Sequence, residues 1–157
     1  MKKVVKILAI VAVAILIGLQ FFRPEKNNEG YESVAAFEAE TKPSAKLVQV
    51  LKDNCYDCHS NETDYPWYAQ VAPLSLWLDE HIQHGKSHFN VSEWNSYSLK
   101  KKAHKIEEVI EVVEKDEMPL PSYEIMHGDL SSKDKQLLLT WANMVSLKYN
   151  QGQIPAQ

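Results

Sequence analysis

The stretch Asn54-Cys55-Tyr56-Asp57-Cys58-His59-Ser60 holds both cysteines of the 157-residue chain and sets a histidine directly after the second. Four chemistries use such a pair. A redox dithiol normally stands at a strand-to-helix junction in a βαβ pattern. A zinc site needs two further ligands at matching spacing. His81, His84 and His88 are available in principle, but the step from Cys58 to His84 is longer than in a zinc finger. A disulfide across two residues is strained and leaves His59 without a role. Read as C-x-x-C-H, a c-type haem anchor, the motif uses all three side chains. The thiols add to the haem vinyl groups as thioethers, and the histidine becomes the proximal iron ligand.

An electron-transfer haem takes a second axial ligand, commonly Met or His. Met118 is the leading candidate, sixty residues past Cys58. Pro119 biases it toward an extended backbone, and Pro121 stiffens the loop further. Met126 is the alternative methionine. His81, His104 and His127 are alternative histidines, with His81 on the edge of an apolar helix stripe. His84, His88, His104 and His127 read as surface residues. Trp67, Tyr68 and Trp77 read as pocket walls, with the Trp67 indole N–H as a partner for a haem propionate. Each of these aromatic residues also suits ordinary core packing.

The elements that must position these groups come after an unusual N-terminus. Residues 4–22 read VVKILAIVAVAILIGLQFF, and residues 7–19 carry no polar side chain. Lys2, Lys3 and Lys6 precede that run, and Arg23 lies just beyond it. A cleaved secretory signal ends in a small-x-small site, and none stands here. An uncleaved anchor fits better, with Phe21 and Phe22 at the interface and the lysines on the cytoplasmic side. The chain is therefore expected to be a single-pass protein of the cytoplasmic membrane with its C-terminal domain periplasmic.

Beyond residue 23 the chain carries 13 basic and 21 acidic side chains, a net of −8. Such a field repels nucleic acid, which needs clustered cations. It suits redox partner proteins of the cell envelope that carry a basic docking face. No run alternates β-branched and polar residues, so no strands are expected. Residues 24–43 read as a linker, with a short helical turn over residues 33–40. Four helices are expected. The first runs over residues 44–57 behind Pro43. The second starts after Pro73 and stops at Gly85. The third opens at Ser98, with a lysine-rich start that opposes the helix dipole. The fourth opens at Ser131 or Ser132. The loop between the last two is EMPLPSYEIMHGD.

Over residues 47–141 the chain resembles the haem-binding domain family of membrane-anchored bacterial c-type cytochromes. The stretches that carry the resemblance are NCYDCHSNETDYPWYAQVAPLSLWLDEHI, HFNVSEW, EMPLPSYEIMH and LLLTWA. It implies one covalent haem c on Cys55 and Cys58, with His59 as axial ligand, and it maps distal ligation onto Met118. Many relatives have M-P-P where this chain has M-P-L-P, a difference that bears on how Tyr123 packs.

The resulting expectation is an all-α, cytochrome c-like domain of about four helices around one haem. Residues 1–23 are the anchor, 24–43 the linker, 44–148 the domain and 149–157 a tail. Its function would be single-electron transfer without enzymatic turnover, with no catalytic residue. The cofactor-binding residues would be Cys55, Cys58, His59, Trp67 and Trp77, and the iron ligands His59 and Met118. The alternatives are a haem sensor or peroxidase-like protein, and a C-x-x-C thiol oxidoreductase. Peroxidase chemistry would want a distal histidine and arginine, and Arg23 is the sole arginine of the chain.

Overall fold

The computed structural model describes residues 1–152, and the end of the expected tail, residues 153–157, lies outside them. The N-terminal apolar run forms α1 (Lys2–Leu19), and every side chain from Lys2 to Gly18 stands exposed. Among the described residues no helix is long and apolar enough to cross a membrane. The physical reason is the position of the lysines. Lys2, Lys3 and Lys6 lie within α1 itself. The uncharged run that remains is about 20 Å long at 1.5 Å per residue, against a hydrocarbon core of about 30 Å.

Residues 24–43, expected as a linker, are built into the core. A 3₁₀ turn at Tyr31–Val34 leads into α2 (Ala35–Thr41), and Val34, Phe37 and Thr41 are buried. Their spacing puts them on one helix face. Phe37 meets Trp94 edge-on at 4.9 Å and Trp141 at 5.9 Å between ring centroids.

The first expected helix is α3 (Ala45–Leu51), capped by the Ser44 hydroxyl on the Leu47 N–H. It continues through a π-helical segment, Lys52–Tyr56, into α4 (Asp57–His59). After a 3₁₀ turn at Trp67–Gln70 comes α5 (Leu74–His88), which runs past Gly85 instead of stopping there. A 3₁₀ segment, Val91–Ser96, buries Trp94 and precedes α6 (Leu99–Glu114). The next loop contains a helix that is not among the four expected, α7 (Pro121–His127), with proline at its first position and Gly128 at φ +89° beyond its end. Proline at N1 and glycine after the last turn are ordinary helix punctuation. The chain ends in α8 (Ser132–Asn150), capped by Ser131 on the Asp134 N–H.

The architecture is all-helical as expected. Among the described residues the only β pairing is an isolated bridge between Asn28 and Glu62. α6 and α8 pack along each other through Ile106 and Val113 against Leu138, Trp141 and Val145.

The lysine-rich start of α6 also has a role that its sequence concealed. Lys102 is buried, and its Nζ lies 2.7 Å from Glu40 Oε2 of α2, both side chains 6% exposed. Tyr149 of α8 donates its hydroxyl to the other Glu40 oxygen, so one carboxylate joins three helices. Removing one partner of a buried ion pair strands the other charge, at about 3–5 kcal/mol. Lys102→Ala is therefore expected to lower unfolding stability by that amount in urea titration of the full chain in detergent. A loss below about 1 kcal/mol, the range of exposed pairs, would show that Glu40 is solvated.

Candidate haem site

The helical run over residues 45–59 explains the motif's geometry. On a helix, positions three and four apart share a face. Cys58 and His59 are therefore on the same side as Cys55. The π-helical segment that contains Cys55 inserts an extra residue into the turn and re-aims the side chains after it, as such segments often do at functional sites.

Gly85 holds α5 against this turn. A Cβ built on Gly85 would fall 2.5 Å from the Cys58 carbonyl oxygen and 3.1 Å from Cys58 Cβ. Only hydrogen fits there, so two backbones meet directly. The reading of Gly85 as a helix stop is replaced by close approach. One consequence lies a turn further on. His59 Nδ1 stands 2.9 Å from the Phe89 carbonyl oxygen. A carbonyl can only accept, so Nδ1 carries the proton and donates it. The other nitrogen, Nε2, keeps its lone pair for a metal. Fixing the tautomer through the second ring nitrogen is how histidine ligands are held. Burial lowers the His59 pKa, so the ring stays neutral near pH 7.

Two adjoining cavities meet at the motif. The larger, about 490 Å³, is lined by Cys55, His59 and Met118 together with apolar side chains that include Phe37, Leu51, Phe89, Ile106, Val109 and Leu138. The smaller, about 70 Å³, is bordered by Cys55, Cys58, His59, Tyr68, Trp77, His81, Met118 and Tyr123. Cofactor sites typically occupy 300–1,000 Å³ with mostly apolar walls. Residues 59 positions apart in sequence, His59 and Met118, thus border the same space.

Met118 is held there from both sides. Its N–H, and that of Glu117, donate to the Val112 carbonyl at 3.2 and 2.8 Å. Beyond it, the Tyr123 hydroxyl lies 2.8 Å from Asp57 Oδ2 and 2.8 Å from the Asp53 carbonyl. This ties the methionine loop to Asp57, one of the two residues between the cysteines. Asp57 Oδ1 accepts from the Asp64 N–H at 2.9 Å. Burial still leaves the Asp57 carboxyl above its ordinary pKa, although both hydrogen bonds pull it down.

The other anticipated residues separate clearly. Trp77 borders the smaller cavity and packs on His81. Trp67 is 78% exposed, lines neither cavity, and leans edge-on against Tyr68. Its expected part in the pocket wall is not where the structure places it, because the 3₁₀ turn points its neighbour Tyr68 inward instead. Met126, His104 and His127 border neither cavity, whereas His81 borders the smaller one. His84 and His88 are exposed, as expected of surface residues, and they also border the cavities, His84 both and His88 the larger. Their Nε2 atoms lie 3.2 Å apart at the rim.

The chemistry of the donors selects among the alternatives. Both cysteines are free thiols. Burial pushes each up to about 12, and neighbouring acidic groups add to the shift. A dithiol oxidoreductase needs the opposite, a lowered thiol pKa, usually at a helix N-terminus. Here the pair closes the C-terminal end of a helical run. Among the described residues no group of three or more His, Cys, Asp or Glu side chains is arranged to hold a bare metal ion. Two neutral thiols, a fixed neutral imidazole and a thioether around an apolar cavity fit a haem.

The model of the haem-binding domain family matches residues 14–144 of the chain. The chain belongs to that family. Haem is therefore its cofactor, and the matched span includes the cysteine motif, α5 and the Met118 loop. No curated protein and no solved structure matches the chain.

Gly85→Ala is a sharp test of the close approach. In an ordinary helix interior that change stabilises by about 1 kcal/mol. At position 85 it is expected to destabilise by about 1–3 kcal/mol, the range for overpacking. Thermal unfolding of the haem-loaded protein reads the sign directly, and a raised Tm would mean that the helices are not in backbone contact.

Proposed function

We propose that the protein is a monohaem c-type cytochrome that transfers single electrons and has no catalytic turnover of its own. One haem c would be held by thioethers to Cys55 and Cys58, with His59 and Met118 as axial ligands. The observation that carries this reading is the shared apolar cavity bordered by Cys55, His59 and Met118. The bound haem would supply the one-electron couple. The chain's own residues do the rest. Phe89 and Gly85 orient His59, Val112 and Tyr123 hold the methionine loop, and the aliphatic wall excludes water. His84, His88 and Lys105 are basic side chains on the wall of the larger cavity and would be the partners for haem propionates.

The reading also includes location. α1 would anchor the chain in the cytoplasmic membrane with the haem domain on the periplasmic side. Its lysines would reach the headgroups along their aliphatic stems, which extends the short uncharged run. The acidic domain would meet redox partners of the cell envelope through basic faces on those partners.

Intact mass under denaturing conditions tests the attachment. The full chain, produced with cytochrome c maturation machinery, is expected to keep the mass of one haem after unfolding. An apo mass would end the c-type reading and leave non-covalent haem binding in its place. Met118→Ala tests the distal ligand separately. It is expected to change the visible spectrum of the oxidised protein and to lower the reduction potential, since a Met ligand raises it. An unchanged spectrum would remove Met118 from the iron.

A further inference from the structure

Residues 65–78 carry no charged side chain, in a region that is otherwise strongly acidic. The segment forms the Trp67–Gln70 turn and the opening of α5. Tyr68, Ala72 and Leu78 point inward. Trp67, Val71, Leu74 and Trp77 point out, with 78, 47, 46 and 39% of their surfaces exposed. This patch is fastened to the end of α1. The Gln20 side chain donates from Nε2 to the Ala72 carbonyl at 2.9 Å and accepts the Ala72 N–H on Oε1 at 3.1 Å. Phe21 and Phe22, also exposed, come immediately after.

We infer that this uncharged aromatic patch lies in the headgroup layer of the membrane that α1 enters, as a second contact that fixes the haem domain's orientation on the bilayer. The inference rests on the anchoring reading above. Trp and Tyr side chains favour the membrane–water interface, and contiguous exposed apolar surface marks an interaction site. A lipid surface is the occupant because the paired hydrogen bonds hold the patch where α1 ends. Trp77 belongs both to the patch and to the wall of the smaller cavity, so one side of the haem site lies next to the bilayer.

The test uses the full haem-loaded chain in vesicles of phosphatidylcholine and phosphatidylglycerol. A nitroxide is placed on Val71→Cys, Leu74→Cys or Trp67→Cys, all at exposed positions, with unlabelled-site background taken from the wild-type chain. Ile15→Cys in α1 and Gln83→Cys on the exposed side of α5 serve as references. Collision with oxygen, which concentrates in lipid, is compared with collision with a water-soluble nickel chelate. The oxygen-to-nickel ratio at 67, 71 and 74 is expected to exceed that at 83 severalfold. A ratio at all three equal to that at 83, with Ile15 in lipid, would overturn the inference and leave the anchor standing. A water-exposed Ile15 would overturn the anchor and the inference together. Three reporters on one patch, each checked by an unchanged haem spectrum, guard against a single misfolded variant.

Discussion

The meeting of two backbones at Gly85 and the Cys58 carbonyl is the constraint on which the site is built. α5 can lie against the cysteine turn only because residue 85 has no side chain. Once it does, the last turn of α5 arrives beside His59, and the Phe89 carbonyl accepts the hydrogen bond from Nδ1–H. The same approach brings His84 and Gly85 to the border of both cavities. Tautomer, cavity wall and rim thus share one cause. A carbonyl freed at the end of a helix is ordinarily satisfied by water or a cap. Here the carbonyl of the residue that closes α5 is used to set the protonation state of a ligand.

A second layer of polar contacts ties separate segments to that centre. Asn27, in the stretch read as a linker, donates to the Ser60 carbonyl at 2.8 Å and accepts from Lys86 at 2.6 Å. Thr63 donates to the Asp57 carbonyl at 2.6 Å, and Tyr123 reaches Asp57 from α7. The turn with the cysteines is therefore bonded to the N-terminal arm, to α5 and to the methionine loop. Such support is what keeps a ligand set in place to a fraction of an ångström. Pro121 opens α7, and from there Tyr123 reaches the cysteine turn.

Much of this was legible in the residues. Ser44, Ser98 and Ser131 each cap the helix that their position announces, and the apolar stripes of α6 and α8 are buried as their spacing requires. The motif residues and Met118 face common cavities. The misreadings have physical sources. The helical turn expected over residues 33–40 is there, as α2; what the residues hid is that it is built into the core, because Glu38 and Glu40 interrupt its apolar stripe and Glu40 pairs with Lys102, 62 residues away. Such long-range ion pairing leaves no periodic signal. α7 did leave one, in Pro121 and Gly128, but the pair of prolines around its start outweighed it. Gly85 shows that a glycine inside a helical pattern is ambiguous. It reads equally as a stop or as a point of close approach, and only the neighbouring chain decides. His84 and His88 are exposed as their positions suggest, and only the neighbouring elements show that they also border the cavities.

The size of the apolar cavity gives covalent attachment a thermodynamic meaning. A ligand bound only to the folded state stabilises it by an amount that depends on free ligand concentration. A haem filling the apolar cavity of about 490 Å³ would contribute such a term. Thioethers to Cys55 and Cys58, as proposed, would make the haem part of the chain, and its local concentration would no longer depend on supply. Burial pushes the same two half-buried thiols up to about 12, so both are neutral near pH 7. Burial also lowers the His59 pKa, so its ring is neutral and keeps the Nε2 lone pair for a metal. One property of the site, its low polarity, thus sets the protonation state of all three residues.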